Sequence, residues 1–235
     1  MVAVSTSSVV MRPDGREVTV TGLGSLTLMG AWGHLFWLRT PEIALRVQCG
    51  VVGTIDAFET SSGIDSQHVG SVVAPAGYTV DIRESDDGAM TTFLASWRHW
   101  ELSAAIAGSN VPSDIALKLL SHFEFVDTSE GLIANPVPGL NASVEVVATA
   151  NSVEGVCGLN VHAASAAAHE LPLGTGKRVA GGELWSHVDR DDAGAVSNRV
   201  FVLSGRSSVV DIMHTDSTVD EARELAERLT ITIRD

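Results

Sequence analysis

A histidine and two aspartates alternate with other residues near the end of the chain. His187, Asp189 and Asp191 are each two positions apart, and residues two apart in a strand point to the same face of a sheet. An imidazole beside carboxylates can bind a divalent metal or act as a general base oriented by an acid. A metal-dependent hydrolase is therefore one hypothesis. The alternative is a hairpin tip, where aspartate is common because it stabilises turns.

Tryptophan is unevenly distributed along the chain. Four of the five tryptophans lie in the first half, and these are Trp32, Trp37, Trp97 and Trp100. Segment 91–107 alternates like one long strand, in which Trp97 and Trp100 have opposite parity, so one of them faces away from the covering helix. Because tryptophan and arginine are enriched in binding hot spots, we expect an outward tryptophan beside Arg98 to contact a partner. Burial under neighbouring strands is the alternative.

Glycine-rich segments do not complete a nucleotide-binding motif. Segment 173–177 resembles a phosphate loop but lacks its first glycine, and Arg178 occupies the place of the magnesium-binding hydroxyl. Gly22 and Gly24 lack the third glycine of a dinucleotide fingerprint. We therefore expect no cofactor and assign no metal ligand outside the histidine hypothesis.

The C-terminal segment predicts the order strand, turn, helix and strand. Segment 199–213 is rich in β-forming residues, and Thr218 and Glu221 have the spacing of a helix capping box. Apolar residues then recur at helical spacing from Val219 to Leu229. From Leu229 onward they alternate with polar residues, which indicates a final strand.

The same order occurs about 106 positions earlier in the chain. Segment 91–107 precedes an apolar stripe at Ile115, Ala116, Leu119 and Leu120, and Phe123 and Phe125 then alternate with polar residues. We interpret this agreement as an internal repeat, with one unit at residues 1–130 and the other at 131–235. Cys49 and Cys157 would then be nearly equivalent core positions, with protonated and inert thiols.

The resulting fold prediction is α+β, with two tandem units that each form an antiparallel sheet with a helix before the last strand. This order resembles the Mog1p/PsbP-like α/β/α sandwich, including LpqN-type proteins. The matching segments are 143–167 and 199–235, with 43–58 and 91–127 in the first unit. The resemblance implies a binding or adaptor role and transfers no functional residue. It also implies an export signal, which the N-terminal sequence does not show.

Composition limits the classes of partner. The chain has 29 acidic and 15 basic side chains and a net charge of −14, which repels nucleic acid and anionic lipid. The N-terminus lacks the pattern of a secretory signal, and apolar runs are too short for a membrane span. We therefore expect a soluble cytoplasmic protein.

The absence of a nucleophile, acid and base set leads us to expect a non-enzymatic binding or assembly protein. Its partner would be another protein or a second copy in a homodimer. The alternatives are the metal-dependent hydrolase and a carrier that holds a small apolar ligand between the two units.

Overall fold

Strands dominate the protein. The computed structural model describes residues 7–61, 65–74, 76–167, 171–190 and 196–234, and at 58–61, 189–190 and 197–198 it describes the backbone alone. Strands account for 56% of the structure and helices for 14%. The prediction of an α+β fold built from two balanced units is therefore wrong. The α-helices have only four to ten residues, whereas the longest strand has 12.

The strands and helices alternate unevenly along the chain. The strands are β1 Ser8–Met11, β2 Glu17–Thr21, β3 Leu28–Arg39, β4 Ala44–Val51, β5 Ser66–Val73, β6 Thr79–Ser85, β7 Met90–Ser96, β8 Trp100–Ala107, β9 Phe123–Asp127, β10 Leu132–Pro136, β11 Ser143–Val153, β12 Cys157–Ala163, β13 Lys177–Val179, β14 Gly182–Arg190, β15 Val196–Ser204, β16 Ser208–His214 and β17 Thr230–Arg234. The α-helices are α1 Thr54–Ser61, α2 Ser113–Leu120, α3 Ala164–Ala167 and α4 Val219–Arg228, and a 3₁₀ turn at Asp216–Thr218 precedes α4.

Contacts divide the chain into two compact units. The first contains Met1–Val10, Arg16–Trp32 and Val147–Asp235, and the second contains Met11–Gly15 and Gly33–Val146. Each unit therefore includes segments that are distant in sequence. The boundary predicted between residues 130 and 131 separates the two copies of the internal repeat and is not a boundary between these compact units. It stays a prediction.

Twelve strands belong to the large antiparallel sheet. Most residues of the run β13-β14-β15-β16-β12-β11 belong to the first unit, and most residues of the run β3-β4-β8-β7-β6-β5 belong to the second. The six strands of each run can be numbered along the chain, starting at β11 in one run and at β3 in the other. With this numbering, the two runs have the same strand order across the sheet. Smaller sheets contain β1-β2-β17 and β10-β9. Neighbouring strands along the chain pair as antiparallel hairpins, as for β5, β6, β7 and β8.

The apolar stripes of α2 and α4 are buried as the sequence predicts. In the second unit, α2 buries Ala116, Leu119 and Leu120 in a core with Phe36, Phe93 and Trp100. In the first unit, α4 buries Ala222, Leu225 and Ala226 in a core with Leu159, Phe201 and Ile212. The predicted strands after both helices are confirmed as β9 and β17.

Three local predictions are wrong. Segments 91–107 and 199–213 are not single long strands, because each is divided into a hairpin. The capping box joins Thr215 and Thr218, not Thr218 and Glu221. Cys49 is the sixth residue of β4, whereas Cys157 is the first residue of β12, so the two thiols are not at equivalent strand positions.

Candidate functional site

A three-residue turn at Trp97, Arg98 and His99 joins β7 to β8, and we call it the Trp97 turn. Its base is the antiparallel pair Ser96–Glu101, and the backbone N–H of Trp97 donates to the carbonyl of Trp100 at 2.9 Å. The turn contains none of the residues that usually mark turns in a sequence. Its conformation therefore depends on contacts made by other parts of the second unit.

One carboxylate holds the Trp97 turn. The Asp127 Oδ2 atom accepts hydrogen bonds from the backbone N–H groups of Arg98 and His99, at 3.0 and 3.1 Å. The Asp127 side chain is only 13% exposed, and bonds of this type to a charged acceptor are stronger than neutral ones. Next to it, the Trp100 indole N–H donates to the Thr128 carbonyl at 2.7 Å. The turn is thus fixed to the end of β9.

Three aromatic side chains meet beside this turn, and we call Tyr78, Trp97 and Phe125 the aromatic cluster. The Trp97 ring centroid is 4.9 Å from that of Tyr78 and 4.9 Å from that of Phe125. The rings of Tyr78 and Phe125 meet edge to face at 6.1 Å. All three side chains pack against the second unit's core yet remain partly exposed. Burial raises the pKa of the Tyr78 phenol to about 12, so the phenol is protonated at neutral pH.

Arg98 adds a cation to the turn that carries Trp97 of the aromatic cluster. The residue is exposed, and its guanidinium makes no ion pair with any of the residues that the structure describes. Its backbone N–H is already bonded to Asp127. The side chain is therefore available to a ligand, whereas the backbone donor is not.

The other tryptophans differ in exposure. Trp32 and Trp100 are 4% and 2% exposed. Neither side chain can therefore contact a partner at the surface in this conformation. Trp37 is partly exposed on β3, where Arg39 lies 4.7 Å above its ring and Arg46 is opposite on β4. The structure thus brings Trp97 and Arg98 together and leaves Trp37 at a separate place in the sheet.

The histidine hypothesis is only partly covered by the described residues. His187 is exposed on β14, opposite Val200. Asp189 is described by its backbone, and Asp191 lies outside the described residues. Within the described part of the chain, no group of three or more His, Cys, Asp or Glu could hold a metal ion. The metal-dependent hydrolase stays a prediction.

A serine, a histidine and an aspartate that sequence reasoning did not connect meet on β5 and β6. The Ser71 hydroxyl donates to Asp81 at 2.7 Å and lies 2.9 Å from His68 Nε2. His68 Nε2 can donate to Ser71 or accept from it, depending on the tautomer of the ring. A catalytic base would accept the serine proton. In this network the Asp81 carboxylate contacts the serine hydroxyl itself, whereas in a catalytic triad the acid orients the histidine.

A buried histidine and cysteine are also adjacent. His34 and Cys49 face each other across β3 and β4. Burial, and then the charge of Arg12, lower the pKa of His34 to about 3. Burial and the charges of Glu101 and Asp127 raise the pKa of Cys49 far above its usual range. Both groups are neutral near pH 7, so they do not form the thiolate–imidazolium pair of a cysteine nucleophile.

Two concave places in the structure differ in character. A cavity of about 10 Å³ lies between α2 and the sheet of the second unit and is lined by apolar side chains. That volume holds at most one water molecule. An open groove of about 430 Å³ in the first unit includes Cys157, Met213 and His214. Burial raises the pKa of Cys157 to about 11, so this thiol is protonated at neutral pH. The carrier hypothesis concerns a site between the units and stays a prediction.

The sequence has no match among protein-family models or among curated proteins. In the part of the chain that the structure describes, no helix is both long enough and apolar enough to cross a membrane.

Proposed function

We propose that this protein is a non-enzymatic binding protein that recognises a segment of a partner protein with the aromatic cluster and Arg98. The observation that supports this function is a clamped turn that presents an available guanidinium, with a cluster of three partly exposed aromatic rings beside it. Tryptophan, tyrosine and arginine dominate the energetics of protein interfaces. A rigid turn also lowers the entropy lost when a partner binds.

The proposal includes a cytoplasmic location and excludes nucleic acid as the partner. Cys49 and Cys157 are both free and buried, which suits a reducing compartment. The net charge of −14 opposes binding of polyanions.

Random peptides displayed on phage test the proposal, with the purified full-length protein as the target. We expect enriched peptides to bind wild type and Trp37→Ala with similar affinity, and to bind Trp97→Ala at least about tenfold more weakly. Trp37→Ala is the matched control because it also removes a partly exposed tryptophan of the second unit. Thermal unfolding of each variant shows whether it is folded.

Two results would overturn the proposal. One is a failure to enrich any peptide, and the other is equal binding to the two folded variants. If Trp97→Ala does not fold, iodide quenching of wild-type tryptophan fluorescence replaces it, because a peptide on the cluster must reduce that quenching. A concentration-dependent dimer that Trp97→Ala dissociates would show that the occupant is a second copy and not another protein.

A further inference from the structure

The donors and acceptors around the Trp97 turn restrict the chemistry of its ligand. The Asp127 Oδ2 atom already accepts from two backbone N–H groups, and the Oδ1 atom is buried. The guanidinium of Arg98 offers several N–H donors and no acceptor. The Tyr78 phenol is protonated at neutral pH, as a tyrosine with an ordinary pKa of about 10 would also be, and adds an O–H group. A ligand group that contacts the Arg98 guanidinium must therefore be an acceptor.

The charge of Arg98 narrows the acceptor to an anion. Acidic side chains outnumber basic ones by 29 to 15 in this chain, and Arg39, Arg83, Arg199 and Arg223 all have acidic partners. Among the described residues, no carboxylate forms an ion pair with Arg98. A neutral partner could replace its hydrogen bonds through carbonyl oxygens, but it would remove water from a cation without supplying a counter-charge, which is unfavourable.

A carboxylate fits this position better than a polyanion does. Arginine binds carboxylates through two parallel N–H···O bonds. The net charge of −14 repels a highly charged ligand over its whole length. A single carboxylate beside Arg98 interacts mainly within about 8 Å, the screening length of physiological salt.

Granted the proposed function, we infer that the bound segment is acidic, with a carboxylate on Arg98 and an adjacent apolar side chain on the aromatic cluster. The apolar side chain removes water from the rings and from the ion pair beside them. An exposed ion pair alone contributes little, but partial exclusion of water strengthens it. Both features of the segment are therefore needed for affinity.

The test uses the most strongly enriched phage peptide, synthesised in its original form and with each Asp or Glu replaced by the corresponding amide. We expect the acidic peptide to bind wild type about tenfold more tightly than its amide form. Arg98→Glu should remove that difference. Arg46→Glu makes the same charge change on another exposed arginine of the second unit, and it should bind the acidic peptide within about twofold of wild type.

The outcomes separate this inference from the function on which it rests. Peptides that require Trp97 but bind wild type and Arg98→Glu equally would overturn the acidic segment and leave the binding function intact. Enriched peptides without any Asp or Glu would likewise overturn the acidic segment and leave the binding function intact. Peptides that bind independently of Trp97 would instead contradict the proposed function itself.

Salt provides a second measurement of the ion pair. Raising the salt concentration from about 50 to about 500 mM should weaken the binding of the acidic peptide more than the binding of its amide form.

Discussion

The Trp97 turn shows how a single residue can position a surface. Its three residues have no intrinsic preference for a turn, and the Asp127 carboxylate supplies two hydrogen bonds that fix the backbone. Trp97 then packs between Tyr78 and Phe125. The orientation of Arg98 follows from this backbone, so the proposed contact depends on a residue about 30 positions further along the chain, at the end of β9.

The ionisation of Tyr78 tests the packing of the aromatic cluster. Tyr78 is the only tyrosine in the chain, so the ultraviolet absorbance of ionised phenol reports this side chain alone. Because burial raises its pKa to about 12, we expect little ionisation at about pH 10, where a free tyrosine is half ionised. A midpoint of about pH 10 in the folded protein would show that the phenol is fully solvated and that the cluster is open.

His34 should make stability depend on pH. Its pKa is lowered to about 3 in the folded protein by burial and by Arg12, whereas an unfolded histidine has a pKa of about 6.5. The unfolded chain therefore binds the additional proton as the pH falls. The stabilisation is fully present above about pH 6.5 and is lost progressively toward about pH 3.

Urea unfolding at several pH values measures this effect. We expect the contribution of His34 to the free energy of unfolding to fall by up to about 1.4 kcal/mol per pH unit within that window. His34→Gln should have a flatter pH dependence than wild type between about pH 6 and about pH 4.5, even if its overall stability is lower. Equal slopes for the two proteins would contradict a buried, neutral His34.

At the scale of elements, the end of α4 is joined closely to the loop after β2. Gly22 has a φ of +88°, and a Cβ atom there would lie 2.1 Å from the Arg228 carbonyl oxygen. The Arg228 side chain also donates to the carbonyls of Gly22 and Leu23, at 3.0 and 3.3 Å. This close approach connects an N-terminal loop to the last helix within the first unit.

Two glycine substitutions separate steric contact from backbone strain. Gly53 has a similar φ of +92°, but apart from its two chain neighbours no described residue comes within 4 Å of the position that a Cβ atom would take there. We expect Gly53→Ala to cost about 1 kcal/mol, the cost of a left-handed backbone. Gly22→Ala should cost at least about 3 kcal/mol because the helix end must also move. Chemical denaturation of the two variants checks this, and equal losses would contradict the close contact.

The sequence predicts helices better than it predicts hairpins in this protein. The stripes of α2 and α4 are visible because every third or fourth residue is apolar, and the buried residues Ala116, Leu119 and Leu225 belong to them. The turn between β7 and β8 is not visible, because Asp127 stabilises it from a distant strand. Alternation alone therefore predicts a continuous strand through the Trp97 turn. Without that turn, no pattern in the sequence connects Tyr78 and Phe125 to the site.

At the scale of the whole molecule, the predicted fold class is wrong because the helices are few and short. Alternating segments predict one long strand before each helix, but hairpins double the number of strands there. The result is a mostly β protein with 14% helix. The two units share their strand order, but this similarity is one of topology. The aromatic cluster and Arg98 belong to the second unit alone.

The most direct test of the central claim observes the five indole N–H groups by nitrogen-15 NMR while the most strongly enriched phage peptide is added. Trp97→Phe assigns the Trp97 signal by its loss. We expect the Trp97 signal to shift with peptide concentration and the signals of Trp37 and Trp185 to stay unchanged, because neither residue belongs to the aromatic cluster. A stationary Trp97 signal, with a shift at Trp37 or Trp185, would contradict recognition at the Trp97 turn.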